Sequence, residues 1–484
     1  MTPDLSGACE AVAVVLPPVY AVLPFVLLLL AIAVLPLTAP HFWEHNRNKA
    51  LVAGIVSLPI LGYYLANDIP RLLVTLEYYV GFIVLLWSLY TISGGIVLRG
   101  NLTASPGVNT AFLAVGAVLA NVFGTTGASM LLIRPWLRMN KYRVTAHHVV
   151  FFIFIVSNVG GCLTPIGDPP LFLGYLKGVP FWWVAEHAWL PWSFGLGALL
   201  VIFYVLDRRN FLRVPATVRA EHAEPEQWRF EGLHNFLFIG LIIAAVFVDQ
   251  PIFLREGLML AAALGSWFTT KANIHEANQF NFAPIREVTI LFAAIFATMI
   301  PALDWLELNA GQLVEPSPTA FYWGTGLLSS CLDNAPTYLS FLSAQVGSAV
   351  TPDQVAQLVS DVQEHATNYA TLAATNGALF PQVVEVLQKY HAADFANGTL
   401  LANHAQVSFL LADPRQNHIL LAISMAAVFF GACTYIGNGP NFMVKSIADQ
   451  QRIHTPDFLG YIFKFTLPYL LPVLVLLWLL FFRN

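Results

Sequence analysis

Long apolar runs separated by short polar segments dominate the chain. Ten of them have about the 20 residues that a helix needs to cross a bilayer. They lie near residues 19–37, 50–66, 73–98, 145–165, 188–206, 233–249, 254–270, 286–303, 417–437 and 460–482. Two further apolar stretches, 108–133 and 318–346, carry Gly, Asn, Thr, Asp or Pro at their centres, and we interpret them as re-entrant hairpins. The pattern predicts an all-α polytopic membrane protein.

Two of the runs are interrupted by the same series of helix breakers. Residues 161–170 read GCLTPIGDPP and residues 431–440 read GACTYIGNGP, so a shift of 270 positions places Asp168 opposite Asn438. Neither run can remain one helix, because proline lacks an amide donor and clashes with the preceding turn. In lipid such a break survives only where protein or a wet cavity satisfies the freed backbone groups. Paired broken helices in two halves of a chain predict the binding site of a secondary transporter.

The two hairpins also match each other, although more weakly. A shift of 208 positions places Thr125-Thr126-Gly127-Ala128-Ser129 opposite Asp333-Asn334-Ala335-Pro336-Thr337. The shift is shorter than that of the broken helices because the second half contains an additional polar segment, 347–415. Each half then has spans, a hairpin, a broken helix and a final span, which indicates an inverted repeat with two re-entrant hairpins and two broken transmembrane helices.

This interpretation gives the following domain boundaries. The first repeat is residues 1–206, a cytoplasmic linker is 207–232, and the second repeat is 233–484. The segments of the first repeat are an inner hairpin (108–133), a broken helix (145–176) and a span (188–206). Those of the second are an outer hairpin (318–346), an external helical insert (347–415), a broken helix (417–445) and a final span (460–482). Thr351-Pro352-Asp353-Gln354 predicts the start of a helix in the insert.

Composition and charge support a membrane location. The chain is 57% hydrophobic and 11% charged, whereas soluble domains carry about 25% charged residues. A net charge of −5 provides no basic face for nucleic acid. With the N-terminus outside and both hairpins re-entrant, 17 of the 23 Lys and Arg residues lie on the inner side. We therefore expect a multi-pass protein of the bacterial cytoplasmic (inner) membrane with its N-terminus outside.

Asp168 and Asp333 are the strongest candidates for chemistry, because ionisable residues at membrane depth are costly and usually face a cavity or one another. A carboxylate beside freed backbone carbonyls suits Na⁺, and a proton competes for the same carboxylate. The alternative is that each aspartate only caps the following helix. Neutral polar residues in the breaks and at the hairpin tips either contribute ligands or fill the breaks. They are Thr125, Thr126, Ser129, Asn158, Thr164, Asn334, Thr337, Thr434, Asn438 and Asn441.

The motifs resemble the ion transporter superfamily. The resemblance rests on Asp-Asn-Ala-Pro-Thr (333–337), Ser-Asn-Val-Gly-Gly…Thr-Pro-Ile-Gly-Asp (157–168) and Ile-Gly-Asn-Gly-Pro-Asn (436–441). The group includes NhaD-type sodium/proton antiporters, CitM-type citrate transporters, arsenite-extruding proteins and sodium/dicarboxylate symporters. It implies a homodimer in which a scaffold domain holds an elevator-like transport domain. By motif position it also implies a site lined by Asp333, Asn334, Asp168, Asn158, Thr164, Thr434 and Asn438.

The Asp-Asn-x-Pro tip and the Gly-Asp break are most similar to the NhaD-type antiporters. We therefore expect a sodium/proton antiporter and not an enzyme, with Na⁺ and H⁺ as transported or coupling ions and no other cofactor. The lipid bilayer and a small cation or carboxylate are the expected partners. Proton- or sodium-coupled transport of citrate or a related carboxylate is the main alternative. An intramembrane aspartyl protease is a remote one, because two membrane aspartates also form an acid/base pair.

Overall fold

A computed structural model describes residues 17–99, 104–215, 229–248, 251, 253–313, 316–365 and 379–483. Eight helices among these residues are long and apolar enough to cross a membrane, and two shorter apolar helices, Ala146–Gly161 and Asn235–Val246, accompany them. The predicted all-α polytopic class is confirmed. One small sheet adds to it, in which β1 (Val97–Arg99) pairs antiparallel with β2 (Arg229–Glu231).

The helix bounds follow the predicted runs closely. In chain order the α-helices are Leu23–Thr38, Pro40–Trp43, Asn46–Asn67, Ile69–Gly94, Pro106–Met139, Ala146–Ile155, Pro169–Leu176, Trp183–Arg213, Asn235–Val246, Leu254–Thr269, Ala272–Ala277, Ala283–Leu313, Pro318–Cys331, Asn334–Ala349, Pro352–His365, Phe380–Tyr390, Ala392–Asn397, Ala402–Ala412, Pro414–Phe430, Gly439–Gln450, Phe458–Tyr461 and Leu471–Leu477. Short 3₁₀ turns lie at Val19–Val22, Val159–Gly161 and Gly431–Cys433, and π-helical turns lie at Ile462–Leu470 and Trp478–Phe482.

The helix Pro106–Met139 is folded back on itself as the first hairpin. A straight helix would separate Asn109 from Asn140 by about 46 Å, yet the Asn109 side-chain amide donates to Asn140 Oδ1 at 2.8 Å. The reversal occurs at Gly124, whose φ of +72° and ψ of 154° are not helical. Glycine adopts a positive φ without the steric cost of a Cβ, so this residue permits the tip.

The second hairpin consists of Pro318–Cys331 and Asn334–Ala349, with its tip at 332–333. Ser317 Oγ accepts from the Ala320 amide at 3.2 Å and begins the first arm. The rings of Phe321 and Phe341 pack edge to face with centroids 6.0 Å apart, which joins the two arms. The first hairpin extends beyond the stretch 108–133 at both ends, and the second extends beyond 318–346 at its C-terminal end only.

Each broken helix has two helical halves around an irregular centre. The first consists of Ala146–Ile155 and Pro169–Leu176, and the second of Pro414–Phe430 and Gly439–Gln450. Every residue from Val149 to Val156 is fully buried. A helix that is apolar on all sides belongs inside the protein, so the first break lies at the centre of the fold.

Closely apposed glycines close both breaks. A Cβ added to Gly167 would lie 2.2 Å from Gly161 O, and one added to Gly437 would lie 2.6 Å from Gly431 O. No real Cβ contact is that short, and the obstructing atoms are backbone. The glycine pairs therefore permit the chain to cross itself beside residues 168 and 438.

Gly167→Ala is expected to lower the free energy of unfolding by about 1–3 kcal/mol, the usual cost of overpacking, since neither backbone segment can move aside freely. Thermal unfolding of the detergent-solubilised protein measures this. Gly240→Ala is the matched control, because that glycine lies within a helix with nothing within 4 Å of an added Cβ; alanine there should be neutral or stabilising. Equal unfolding temperatures for the two variants would contradict the packing argument.

The polar insert is helical where it is described. Gln354 N donates to Thr351 Oγ1 at 3.3 Å and Thr351 N donates to Gln354 Oε1 at 2.9 Å, so the predicted start of its first helix is confirmed. Asn403 connects the insert to the rest of the protein: its side-chain amide donates to Leu176 O at 3.3 Å. The backbone carbonyl oxygen of Asn403 would lie only 2.8 Å from a Cβ added to Gly178, so the two backbones are in close contact.

The segment predicted as a cytoplasmic linker is in part helical. Trp183–Arg213 extends into 207–232, and β2 lies near the end of that segment. Residues 216–228 lie outside the described residues. Asp207, the first residue of the predicted linker, is fully buried. The span that ends the first repeat is therefore longer than its apolar run, 188–206, indicated.

Candidate functional site

Asp168 lies at the meeting point of both hairpins and both broken helices. It is buried, with 1% of its surface exposed. It directly precedes the half-helix Pro169–Leu176 but its side chain does not cap that helix. The carboxylate instead accepts from Thr125 Oγ1 at 2.7 Å, Asn334 Nδ2 at 2.6 Å and Asn438 Nδ2 at 3.0 Å. One donor comes from each hairpin tip and one from the second break.

The carboxylate of Asp168 has only neutral partners. None of the ion pairs among the described residues includes it. A buried charge without a counter-ion is strongly unfavourable and is relieved by neutralisation. Three of the carboxylate's roughly four acceptor positions are occupied. The site is therefore suited to take up either a proton or one small cation.

An amide network orients Asn438. Its Nδ2 also donates to Asn158 Oδ1 at 3.2 Å and to Ser157 O at 3.3 Å. Because all three acceptors face the same atom, that atom must be the amide nitrogen, and the oxygen points elsewhere. The side chain of Asn438 thus links the second broken helix to the first by hydrogen bonds.

Asn158 and Asn441 brace the two breaks against each other. Asn158 Nδ2 donates to Asn441 Oδ1 at 2.7 Å. Asn441 Nδ2 in turn donates to Gly431 O at 2.8 Å and to Thr434 O at 2.9 Å, both freed by the second break. The structure places both residues next to the site, in positions that satisfy backbone and amide groups.

Thr164 and Thr434 occupy equivalent places in the two halves. Thr164 Oγ1 donates to Asn121 O at 2.6 Å, and Thr434 Oγ1 donates to Ser330 O at 2.7 Å. Each hydroxyl also accepts from the amide of the glycine three residues later, at 3.1 Å in both cases. These two threonines fasten each break to the hairpin of its own half and do not contact Asp168.

The hairpins superpose with a shift one residue longer than the sequence indicated. Thr125 N donates to Gly167 O at 2.7 Å and Asn334 N donates to Gly437 O at 3.2 Å. These equivalent residues are 209 positions apart, as are Asn121 and Ser330. Asn334 therefore corresponds to Thr125, and both contact Asp168. The shift of 208 is wrong because it placed Asp333 opposite Thr125.

Asp333 lies at the tip of the second hairpin and is half-buried. Its Oδ1 accepts from the Ala335 amide at 3.0 Å, which caps the helix Asn334–Ala349. Thr337 Oγ1 donates to Asp333 O at 3.0 Å within the first turn of that helix. Asp333 is thus adjacent in sequence to a partner of Asp168, while its own contacts are those of a helix cap.

Asn334 carries an unused acceptor beside the buried carboxylate. Its Nδ2 donates to Asp168, whereas its Oδ1 is buried without a hydrogen-bond partner. Rotation of this amide by 180° would present its oxygen to a cation bound at Asp168. Of the other tip residues, Ser129 Oγ lies 2.7 Å from Ser157 Oγ, and Thr126 is half-buried.

Sequence reasoning missed Asn121 and Ser157. Asn121 Nδ2 donates to Gly160 O at 2.7 Å, and its Oδ1 accepts from Leu163 N at 2.9 Å. Ser157 faces Asn438 and Ser129. Asn121 lies just before the tip of the first hairpin, and Ser157 lies at the start of the first break. A polar residue within an apolar run at such a position was the signal that could have identified both.

Comparison with known protein families gives a match. The model of a family described as "Putative citrate transport" matches residues 15–482. The matched range includes both hairpins, both broken helices and every side chain that contacts Asp168. No curated protein matches the sequence.

Proposed function

We propose that this chain, which belongs to this citrate-transport family within the ion transporter superfamily, is a sodium/proton antiporter centred on Asp168. The family is one of transporters, and a multi-pass helical membrane protein fits it. The observation that supports the proposal is the buried carboxylate of Asp168, held only by neutral donors. A carboxylate in that setting favours a cation or a proton over an organic anion.

Exchange would follow from competition for one carboxylate. Na⁺ prefers oxygen ligands, and Asp168, Thr125 Oγ1 and the unused Asn334 Oδ1 supply them. When a proton occupies the carboxylate, its charge is lost and the electrostatic attraction for Na⁺ is lost with it. Because only one of the two ions binds at a time, each is carried in the opposite direction to the other.

The movement, assembly and membrane orientation of the protein belong to the same proposal. The two hairpins and the two broken helices would move as an elevator-like transport domain against a scaffold formed by the remaining spans, in a homodimer. The protein would lie in a bacterial cytoplasmic membrane with its N-terminus outside, which puts most Lys and Arg residues inside. The family resemblance supports both the homodimer and the elevator-like movement.

Purified protein in liposomes tests the proposal. Addition of external Na⁺ should drive Na⁺ inward and protons outward, so a pH-sensitive dye trapped in the lumen should report alkalinisation without any carboxylate present. Choline chloride at the same ionic strength is the control, since it provides the same ionic strength without Na⁺. A lumen whose pH is the same after either salt would contradict the antiporter.

Citrate or a related carboxylate is the second candidate, because the family description names citrate transport. No Lys or Arg of the described residues pairs with Asp168, so the anion's charge would have to be met by the N-termini of the half-helices Pro169–Leu176 and Gly439–Gln450 or by a co-bound cation. If the liposomes respond to Na⁺ only when citrate is present, this candidate replaces the first. An aspartyl protease has no support in the geometry, since Asp333 is bonded as a helix cap.

A further inference from the structure

We propose that the polar insert binds a transition-metal ion of the Zn²⁺ class through His391, Asp394 and His404. One ligand atom from each of these residues lies within 4.8 Å of the other two. His404 Nδ1 is 3.4 Å from Asp394 Oδ2. His391 Nε2 is buried and has no hydrogen-bond partner. Two imidazoles and a carboxylate are a donor set that Zn²⁺ prefers.

The local fold brings these side chains together. His391 occupies the N-cap position of the helix Ala392–Asn397 without a side-chain capping bond, and Asp394 follows three residues later, which brings the two side chains to one side of the helix. Gly398, with φ of +70°, then ends the helix and reverses the chain. His404 stands in the first turn of the next helix, Ala402–Ala412. The cluster is therefore built from two adjacent helices and one tight turn.

The imidazole rings show what metal binding would change. The rings of His391 and His404 are stacked with centroids 4.1 Å apart and 21° between their planes. Two nearly parallel rings cannot both direct a lone pair to one ion, so one ring must turn about its Cβ–Cγ bond. Zn²⁺ bonds of 2.0–2.2 Å require ligand atoms about 3.3 Å apart. His404 Nδ1 and Asp394 Oδ2, 3.4 Å apart, already have that spacing, so the change on binding falls on the histidine rings.

The ligands are available to an ion from solution. The side chain of Asp394 is 39% exposed and that of His404 is 18% exposed. With three protein ligands, a tetrahedral ion keeps a fourth position for water on the exposed side.

Titration of the full-length, tag-free protein with ZnCl₂ at pH 7 in detergent tests the proposal by calorimetry. We expect one saturable site per chain. Removing a ligand should weaken it at least about tenfold, as changes at metal sites commonly do, so His404→Ala and Asp394→Ala should both show this loss. His454→Ala is the matched control, an exposed histidine in a different loop, and should leave the affinity unchanged.

Co²⁺ in place of Zn²⁺ gives a second readout, since visible absorption bands of tetrahedral Co²⁺ with nitrogen ligands should appear in the wild type and vanish in His404→Ala. Thermal unfolding without metal establishes that each variant is folded. Absence of saturable binding in the wild type, or wild-type affinity in His404→Ala, would overturn the proposal. Because these measurements do not involve transport, their outcome is independent of the antiporter proposal.

Discussion

Asp168→Asn will lower the rate of Na⁺-driven proton movement in proteoliposomes by at least about 100-fold, equivalent to roughly 2.7 kcal/mol of lost ion stabilisation. The amide has the shape of the carboxylate but carries no charge and takes up no proton at physiological pH. One of its two polar atoms is a donor, and it would face Asn334 Nδ2 or Asn438 Nδ2, which are donors themselves. The ion site would lose both its charge and one hydrogen bond.

Asp413→Asn is the matched control for this experiment. Asp413 caps the helix Pro414–Phe430 by accepting from Arg415 N at 2.8 Å, and asparagine caps equally well, so exchange should persist. Asp333→Asn distinguishes two roles, because it preserves the cap and removes the charge. A small loss there assigns Asp333 to the cap, and a loss as large as that of Asp168→Asn assigns it to the ion. Wild-type exchange in Asp168→Asn would exclude Asp168 as the ion-binding group.

The second large effect concerns stability and arises at Asp207. This carboxylate is fully buried and pairs with both terminal nitrogens of Arg143, one of them at 2.9 Å. Asn109 Nδ2 donates to it at 2.8 Å, and His148 Nε2 lies 3.0 Å away. Asp207→Asn leaves the Arg143 charge buried and uncompensated. Breaking a buried pair from one side costs about 3–5 kcal/mol, and we expect that loss in the free energy of unfolding.

Denaturant unfolding in detergent measures the change. Glu186→Gln is the control, since Glu186 pairs with Lys389 at 2.7 Å while their side chains are 41% and 54% exposed. Exposed pairs contribute about 0.2–1 kcal/mol. Replacing both buried partners with apolar residues, Arg143→Met with Asp207→Leu, should recover part of the loss. An Asp207→Asn variant no less stable than Glu186→Gln would show that the buried pair contributes little.

Local chemistry explains what the sequence predicted well. Proline and glycine act on their own backbone, so Gly167-Asp168-Pro169-Pro170 and Gly437-Asn438-Gly439-Pro440 identify the breaks without knowledge of the fold. Runs of apolar residues identify spans for the same reason. The choice of Asp168 as a candidate site residue followed from its place within such a break.

Contacts between distant segments explain what the sequence did not predict. Asp207 was assigned to the linker 207–232 because that segment contains five Arg and four Glu residues. Only the fold brings Asn109 and Arg143 to it. The tips also differ locally: the first turns at Gly124, and the second turns at the residues before Asn334. Because the two tips share so little sequence identity, the sequence alone did not show that their alignment was one residue out. That one residue decides whether Asp333 or Asn334 is expected to contact Asp168.

The tie between Asn403 and Leu176 has a mechanical consequence. Leu176 ends the short helix that begins directly after Asp168, so the insert is fastened to the segment that carries the buried carboxylate. Any displacement of that carboxylate along the membrane normal must drag the insert with it or rupture this tie. In the proposed elevator-like movement, a spectroscopic label on an exposed residue of the insert would therefore report the displacement of the segment that carries Asp168.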